Sequence, residues 1–318
     1  MLGIGAVGRA LARALVGGGL VRSLRVWARV EDSAVEFRDE LREVCGTRAG
    51  RRLEVRALGD LSDSCSGADL VLFCVVDDSI GELATRVAAL EPAVDADAVA
   101  LHLSGFASTD VFEPLGEIGF STGCLHPLIS LTNGVRPGGQ GQSPFAGAHF
   151  ALGGDERARA RAHELATALG GVPFELAQHE SARALYHGAA SLLAGGVVAT
   201  FDAAERMLAG AVGGDGTVAR AALMGLLEST VRNLKVGQAQ DVLTGPVHRG
   251  DSATVAGHLA ALADLGMDGA ESGALVRTEE LYRELSLAML ELVRRRGGTD
   301  SETLDQLAVL LSSGPENV

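Results

Sequence analysis

The hexapeptide Gly3-Ile4-Gly5-Ala6-Val7-Gly8 leads directly into the helix-forming run Arg9-Ala10-Leu11-Ala12-Arg13-Ala14-Leu15. Three glycines in the spacing G-x-G-x-x-G before a helix are typical of a dinucleotide-binding turn. The first glycine permits a tight turn, the second lets the backbone approach a pyrophosphate, and the third lets the helix pack closely on a sheet. The free N–H groups at the helix N-terminus then face the phosphates. The predicted cofactor-binding residues of this turn are Gly3, Gly5, Ala6, Val7 and Gly8.

The strand that should precede this turn is nearly missing. Only Met1 and Leu2 stand before Gly3, whereas a strand usually has about five residues. Either the true chain begins upstream and this sequence comes from a shortened gene, or very few residues hold the strand. In the first case an N-terminally extended chain should bind the cofactor much more tightly, and in the second case binding should be weak.

Strand and helix patterns alternate along the first half of the chain. The strand-forming runs cover residues 24–28, 53–58, 70–76, 98–103, 123–128, 148–152 and 172–176. The run 70–76 is continuously apolar, which is typical of a strand buried on both faces of a parallel sheet. This alternation predicts a doubly wound, mostly parallel α/β fold whose ligands bind at the carboxyl ends of the strands. A turn-rich loop is predicted at residues 134–144.

The strand patterns stop at about residue 178. Helical patterns then cover residues 180–212, 217–235, 252–265, 273–296 and 301–312. We therefore divide the chain into an α/β dinucleotide-binding domain, residues 1–178, and an all-α domain, residues 179–318. The alanine- and leucine-rich faces of these helices exceed what one face of the first domain can cover, so we expect a homodimer formed through the helical domain.

The residue that distinguishes NAD from NADP lies at the end of the second strand, about 20 residues after the glycines. NAD-binding domains usually place Asp or Glu there, but this chain has Arg29, and acidic residues follow only at Glu31 and Asp32. An arginine in this place can pair with the 2′-phosphate of NADP. The sequence therefore favours NADP over NAD, although Arg29 could equally be a solvated loop residue.

The buried run 70–76 ends in a polar segment at the expected ligand edge of the sheet. Val76 and Asp77 are the candidates here for contact with the cofactor, although Asp77 could instead cap the next helix. For Asp78 and Ser79 we expect helix capping, because both residue types are favoured at the start of a helix.

His187 and Ser191 lie four residues apart, hence on one face of the long helix that opens the second domain. Histidine titrates near neutral pH and can act as a general acid or base. The alternative is a histidine that only packs at the domain interface. His102 and His126 lie at or near strand ends on the side where a ligand is expected. A hydrogen-bonded histidine that only shapes a loop is at least as good an explanation for each of them.

Composition limits the classes of function. The net charge is −14 and no basic run exceeds Arg294-Arg295-Arg296, so nucleic-acid binding is not expected. The four cysteines form no C-x-x-C pair and the histidines form no H-x-x-x-H pair, which predicts a reduced, cytoplasmic protein without a metal site. We identify no apolar run of about 18 residues and no signal-peptide pattern, so no membrane association is expected.

Further motifs, spread over nearly the whole chain, carry a resemblance to a known family. Besides the glycine turn they are VVDDSI (75–80), HLSG (102–105), LHPL (125–128), YHGAA (186–190), LTGPVHRGD (243–251), TVAGHLAAL (254–262) and LYRELS (281–286). The first half resembles the Rossmann-like oxidoreductase domain of the 6-phosphogluconate-dehydrogenase-like superfamily. The second half resembles the helical DUF2520 domain that commonly follows it. The T-G-P-x-x-R-G-D block is the most specific of these motifs and the glycine turn the least.

The resemblance implies a Rossmann domain that binds NAD(P), an all-α substrate and dimerisation domain, and a cleft between them. Related proteins reduce carbonyls or imines, or oxidise hydroxy acids, and usually place a Lys or His and an Asn near the nicotinamide. This chain departs from the pattern, because Ala194-Gly195 stands in place of a Ser-Asn pair and Gly225 in place of a common proline. The missing amide leaves His187 and Ser191 as the polar pair of that helix.

We therefore predict a cytoplasmic, NADP-preferring oxidoreductase that transfers a hydride to or from a carbonyl, imine or hydroxyl carbon of a small molecule. In this hypothesis His187 donates or accepts the proton, while Ser104 and Ser191 hold the substrate oxygen. The rival hypothesis is a non-catalytic nucleotide-binding or scaffold protein on a dehydrogenase fold. The missing Asn and the short first strand favour that rival.

Overall fold

The computed structural model describes residues 1–46, 54–132, 143–177, 179, 181–267 and 272–313. The chain divides into two compact units, Met1–Leu192 and Leu193–Val318. The described strands are β1 (Ser23–Val26), β2 (Glu54–Ala57), β3 (Leu70–Phe73), β4 (Val99–His102), β5 (Ser121–Leu128), β6 (His149–Gly154) and β7 (Val172–Glu175). The helices between them are α1 (Ala6–Gly18), α2 (Glu31–Gly46), α3 (Leu61–Cys65), α4 (Ile80–Ala89), α5 (Glu113–Glu117) and α6 (Glu156–Ala168). The turn-rich segment predicted at 134–144 lies largely outside the described residues.

Most neighbouring strands of the sheet are parallel. Strands β1 and β2 are a parallel pair, and β3, β4 and β5 are parallel neighbours. Strand β6 runs antiparallel to β5, and β7 is parallel to β6. Leu2 connects the two groups, since it forms parallel bridges with Trp27 and with Phe73. The predicted doubly wound, mostly parallel α/β fold is confirmed.

Leu2 occupies the place of the first strand by itself. Its N–H donates to the Leu72 carbonyl at 2.8 Å and its carbonyl accepts from the Cys74 N–H at 2.7 Å. On the other side the Gly3 N–H donates to the Trp27 carbonyl at 2.8 Å, and the Leu2 side chain is fully buried. Because buried backbone groups must be paired, these bonds let a segment of two to three residues complete the sheet.

Apolar side chains cover both faces of this sheet. On one face Leu11, Phe37 and Leu165 belong to a cluster that joins α1, α2 and α6. On the other face Ile80 and Leu115 belong to a cluster that includes α4 and α5. Burial of each such side chain stabilises the fold by about 1.5–3 kcal/mol, so the sheet is fixed from both sides.

The described part of the chain after β7 is helical, as predicted. Its helices are α7 (Ala182–Ala211), α8 (Gly216–Leu234), α9 (Ala239–Val242), α10 (Pro246–Arg249), α11 (Ser252–Met267), α12 (Ser272–Arg296) and α13 (Ser301–Ser312). The division of the chain at Leu192 lies inside α7, so the first turns of α7 belong to the first unit. The domain boundary at residue 178 stays a prediction.

Within the second unit, α11, α12 and α13 share an aliphatic core that includes Val255, Leu290 and Leu307. Arg283 of α12 is 9% exposed and pairs with Glu279 at 2.8 Å. The same guanidinium donates to the Leu310 carbonyl at 3.0 Å, near the end of α13. This arginine therefore ties the C-terminal end of α13 to α12.

Helix α7 has a long apolar sequence. An 18-residue window of it has a mean hydropathy of 1.4, and none of that window is buried. Within the described residues, α7 alone is long and apolar enough to cross a membrane. The expectation that no apolar run reaches this length is therefore wrong. A single such helix is weak evidence for a membrane span, because helices that lie in a protein core pass the same test.

Candidate active site at the carboxyl edge of the sheet

The glycine turn leaves no room for side chains at two of its three glycines. Gly3 has a φ of 96°, and a Cβ there would lie 2.5 Å from the Cys74 carbonyl oxygen. A Cβ on Gly8 would lie 2.9 Å from the Cys74 Cβ. A Cβ on Gly5 would lie 3.9 Å from its nearest neighbour, the Cys74 carbonyl oxygen. No protein atom therefore crowds the space in front of Gly5.

Helix α1 begins directly at this open space. Gly5 is its N-cap residue, and no side chain caps the first turn. The backbone N–H groups at a helix N-terminus attract anions, and phosphates in particular. Ala6 and Val7 are partly buried and Gly8 is buried, as expected of a turn whose backbone meets the ligand. The residues present fit the pyrophosphate of a dinucleotide.

The other predicted cofactor residues are accessible. Arg29 follows β1 and is exposed, and Val76 follows β3 with an exposed fraction of 72%. Asp77 and the next two residues form one turn of 3₁₀ helix, and no side chain caps α4. Ser79 is the N-cap residue of α4, but its side chain makes no capping hydrogen bond, and Asp78 lies within the preceding 3₁₀ turn. The prediction that the side chains of Asp78 and Ser79 cap this helix is therefore wrong. The roles of Arg29, Val76 and Asp77 stay predictions.

Ser104 forms the turn that follows β4. Its hydroxyl oxygen accepts hydrogen bonds from the Phe106 N–H at 3.0 Å and the Ala107 N–H at 2.9 Å. The oxygen is thereby fixed, and the hydroxyl proton remains available to a ligand. Ser104 itself is 6% exposed.

The structure places His187 beside this turn. Its ring centroid lies 5.9 Å from that of Phe106, and His187 is partly buried while Ser191, one turn along α7, is exposed. His187 and the Ser104 turn are thus brought together. Ser191 lies on the exposed part of α7, and its role as a substrate ligand stays a prediction, as do those of His187 and Ser104.

A tyrosine that the sequence reasoning did not assign stands next to His187. The Tyr186 hydroxyl oxygen lies 2.5 Å from His126 Nδ1, and the two rings meet edge to face at 88°. His126 is on β5, sixty residues earlier in the chain. The only signal for this pair in the sequence is the motif YHGAA, in which the tyrosine precedes the histidine.

His126 is held as a neutral ring. Burial lowers its pKa to about 4, and the positive charges of His187 and Arg183 act in the same direction, while Asp77 opposes them. Burial likewise raises the pKa of Tyr186 to about 12, with Cys124 adding to the effect and Arg183 opposing it. Both members of the pair are therefore uncharged at neutral pH.

His102 has a different setting. It is fully buried, and neither ring nitrogen has a hydrogen-bond partner of ordinary geometry among the described residues. Burial lowers its pKa to about 3, an effect that the nearby backbone of Ser104 and Ser108 only partly opposes. Its ring packs edge-on against Phe112 at 5.3 Å. His102 is thus a neutral core residue beneath the site.

Arg183, one turn before Tyr186 and His187, anchors the start of α7 to the sheet. Its Nη2 donates to the Cys124 sulfur at 3.1 Å. A Cβ on Gly153 would lie only 2.5 Å from Arg183 Nη2. The glycine at this position of β6 therefore makes room for the guanidinium. Burial raises the pKa of the Cys124 thiol, which therefore stays neutral. The first turn of α7 is fixed by these contacts.

The fold defines a class: a protein with a Rossmann-like, mostly parallel α/β sheet followed by a helical region. The sequence models of two families match the chain, a Rossmann-like domain over residues 1–127 and the domain of unknown function DUF2520 over residues 148–289. The two matches follow one another along the chain and confirm the resemblance that the sequence motifs indicate. No curated protein matches it.

Solved structures show the same fold at low sequence identity. A candidate NADP oxidoreductase from Bacteroides fragilis has 21% identity and a TM-score of 0.67, covering 91% of this chain and 95% of its own. A protein from Thermotoga maritima has 21% identity and a TM-score of 0.61, covering 93% and 98%. A pyrroline-5-carboxylate reductase from Coxiella burnetii has 17% identity and a TM-score of 0.54, covering 88% and 96%. At these identities the likeness concerns the fold.

Proposed function

We propose that the chain is an oxidoreductase that transfers a hydride between NADP(H) and a small carbonyl, imine or hydroxy compound. The observation that carries the proposal is the glycine turn, whose open position at Gly5 adjoins an uncapped helix N-terminus. The turn precedes α1 at the carboxyl edge of the sheet, where Ser104, His126 and His187 also lie. Ligands of open α/β sheets bind at this edge.

The roles of the individual residues follow from their positions. The glycine turn and the first turn of α1 would hold the pyrophosphate, and Arg29 would meet the 2′-phosphate. Val76 and Asp77 would border the cofactor after β3. A bound nicotinamide supplies or takes the hydride. Among the remaining groups, Ser104 and Ser191 would hold the substrate oxygen and His187 would exchange the proton.

A pyrroline carboxylate reductase with NADP bound shares the fold at 10% identity and a TM-score of 0.52.

Fluorescence titration with NADPH tests the cofactor, and one substitution tests the site. Gly5→Ala adds a methyl group that meets no protein atom within 3.9 Å, so the variant should fold normally. The methyl would occupy the space of the pyrophosphate, and we expect NADPH affinity to fall about tenfold or more, or at least 1.4 kcal/mol. Gly81→Ala on α4, where a Cβ meets nothing within 4 Å, is the control and should bind normally.

The outcome separates three possibilities. Wild-type protein that binds neither NADPH nor NADH would contradict the proposal. Equal binding by wild type and Gly5→Ala would place the cofactor elsewhere. Tight binding without reduction of any carbonyl or imine would support the rival function, a non-catalytic nucleotide-binding protein. Gly195, which replaces an amide of the related proteins, favours that rival.

We also propose a cytoplasmic homodimer that forms through the helical region. Large apolar side chains are exposed along α7 and α8, among them Leu192 (77%), Leu193 (71%), Val198 (69%) and Leu226 (62%). Exposed apolar patches of this kind usually mark an interaction surface. Sedimentation equilibrium should give a dimer, and Leu193→Glu should shift it to monomer. A wild-type monomer that floats with phospholipid vesicles would favour a membrane contact instead.

A further inference from the structure

We propose that Tyr186 is the catalytic acid of this site and that His126 is the positioning residue that orients its hydroxyl group. The proposal rests on the proposed reductive function, and it assigns the proton transfer to Tyr186 rather than to the neighbouring His187. The argument begins with how the structure holds the phenol ring.

Contacts on two sides fix the ring of Tyr186. Its hydroxyl oxygen is 2.5 Å from His126 Nδ1, and the centroid of the His126 ring is 5.4 Å away in an edge-on arrangement. The ring of Phe174, from β7, packs on it at 6.0 Å. Two strands of the sheet thus hold the phenol in one orientation, with its hydroxyl group directed to the end of β5.

His126 is itself held by a close backbone contact. A Cβ on Gly105 would lie 2.9–3.0 Å from three atoms of the imidazole ring. The ring therefore packs directly on the backbone of the turn formed by Ser104. This contact places the Tyr186–His126 pair beside the Ser104 hydroxyl, where a substrate oxygen would be held.

Burial of the pair favours a neutral acid. It is the largest cause of the lowered pKa of His126 and of the raised pKa of Tyr186, while His187, Asp77 and Arg183 modify the first shift and Cys124 and Arg183 modify the second. Since the imidazole stays neutral and the phenol keeps its proton at neutral pH, the hydroxyl group releases that proton only to a strong base. An alkoxide or amide anion that forms during reduction is such a base.

The proton transfer balances as follows in the reductive direction. With NADPH as the hydride donor, the substrate carbon would gain the hydride with its electron pair, and the π electron pair of the C=O or C=N bond would move to the oxygen or nitrogen. That atom would take the proton of the Tyr186 hydroxyl, and the O–H electron pair would stay on the tyrosine oxygen. His126 would donate a hydrogen bond from Nδ1–H to the resulting phenolate and keep its proton, and water would reprotonate the phenolate after the product leaves.

Kinetics with NADPH and three probes, pyruvate, 1-pyrroline and cyclohexanone, test the acid. Tyr186→Phe removes the hydroxyl group and keeps both ring contacts, so we expect kcat to fall about 100-fold or more. NADPH affinity should stay within about twofold, because the loss affects the chemical step only. Tyr282→Phe removes the hydroxyl group of the other tyrosine and is the matched control. Full activity of Tyr186→Phe, or loss of activity only in His187→Ala, would overturn the proposal.

Two substitutions of His126 test its positioning role. The side-chain amide of His126→Asn can donate a hydrogen bond near the place of Nδ1, whereas His126→Phe keeps the ring volume and has no donor. We expect His126→Asn to retain at least about tenfold more kcat than His126→Phe, with similar KM for both. Equal loss in the two variants would show that His126 only fills space.

Nuclear magnetic resonance of protein labelled with ¹⁵N-histidine tests the pair without any substrate. We expect the His126 ring to stay neutral between about pH 5 and pH 8, with its proton on Nδ1, and its signal to move in Tyr186→Phe but not in Tyr282→Phe. A proton on Nε2 would overturn the role of His126. Lack of NADPH binding, or binding without turnover of any probe by the wild type, would contradict the proposed function. Wild-type turnover that Tyr186→Phe fully retains would overturn the assignment of Tyr186 and leave that function intact.

Discussion

The two tyrosines of the chain each meet a histidine, in two different regions of the molecule. Tyr186 lies 2.5 Å from His126 Nδ1 at 88°, and Tyr282 lies 2.8 Å from His258 Nδ1 at 82°. The first pair packs on the backbone turn after β4, at the edge where ligands bind. The second joins α11 to α12, and its histidine is exposed. Two pairs of nearly equal geometry thus have different roles in our proposal, proton transfer for the first and helix packing for the second.

The setting, rather than the pair itself, therefore defines a site. Burial keeps His126 neutral, and His187, Asp77 and Arg183 further modify its pKa. Tyr282 adjoins Arg283, whose contacts hold α13 in place. If this comparison is correct, changes around the first pair should alter reaction rate, and changes around the second should alter stability.

The largest effect is expected in the helical unit, at Arg283. Arg283→Leu leaves Glu279 without its partner at 13% side-chain exposure and removes the bonds to the end of α13. Loss of one partner of a buried ion pair typically costs about 3–5 kcal/mol, so we expect a large fall in the urea midpoint. Arg294→Leu breaks two exposed pairs, with Glu291 and with Asp305 of α13, and should change the midpoint only slightly, because exposed ion pairs contribute about 0–1 kcal/mol each. An unchanged midpoint for Arg283→Leu would show that α13 is held by its apolar face alone.

A methyl group added beside the histidine of each pair tests most directly whether the roles of the two pairs differ. Gly105→Ala would drive a Cβ into the His126 ring, whereas Gly257→Ala, next to His258, meets nothing within 4 Å. We expect Gly105→Ala to lower kcat about 100-fold, because small displacements of catalytic groups are costly. Gly257→Ala should have wild-type kcat. A fully active Gly105→Ala would mean that the position of His126 is unimportant to the reaction.

Acid should destabilise the first unit through its buried histidines. The folded-state pKa is about 3 for His102 and about 4 for His126, below the ordinary value of about 6.5. The unfolded chain therefore binds protons that the native chain does not, and stability falls as pH drops from about 6.5 toward 4, by up to about 1.4 kcal/mol per pH unit for each group. Urea unfolding at several pH values should show a flatter dependence of stability on pH for His102→Leu than for the wild type.

The smallest effect concerns cofactor choice. Arg29→Ala should weaken NADPH binding about tenfold by loss of a charge-assisted phosphate contact, and should leave NADH binding unchanged. Arg22→Ala, at an exposed position just before β1, is the control. Equal loss for both cofactors would indicate that Arg29 supports the fold of the loop, and no loss would indicate the solvated residue that the sequence also allowed.

The sequence was sufficient for the order of the elements, because hydrophobic patterns are local. The run 70–76 and the alanine-rich run after Gly8 predicted a buried strand and a helix, and β3 and α1 are there. The end of β3 was harder, since the 3₁₀ turn at Asp77 depends on how the chain leaves the sheet. The apolar length of α7 was missed, because much of it consists of Gly and Ala and only a few positions hold large apolar side chains.

The site was only partly predictable. The glycine turn, Ser104 and His187 lie at the expected edge because strand ends are visible in the sequence. Tyr186 was missed because its partner is sixty residues away, on a strand whose register is set by the sheet. His102 shows the opposite case. Its position at a strand end suggested a residue that a ligand could reach, but the structure buries it in the core. Side-chain pairing across the fold has no local pattern.

The single residue that stands for the first strand has a consequence for how the protein opens. Backbone hydrogen bonds join Leu2 to β3 on one side and Gly3 to the residue after β1 on the other. The two groups of strands therefore depend on the same two residues for their connection. Local opening proceeds in cooperative units, so the amide protons of Gly3 and Cys74 should exchange with solvent together. The glycine turn starts at Gly3 itself, so each local opening should also loosen the turn proposed to bind the pyrophosphate. Bound NADPH should then slow exchange at both amides.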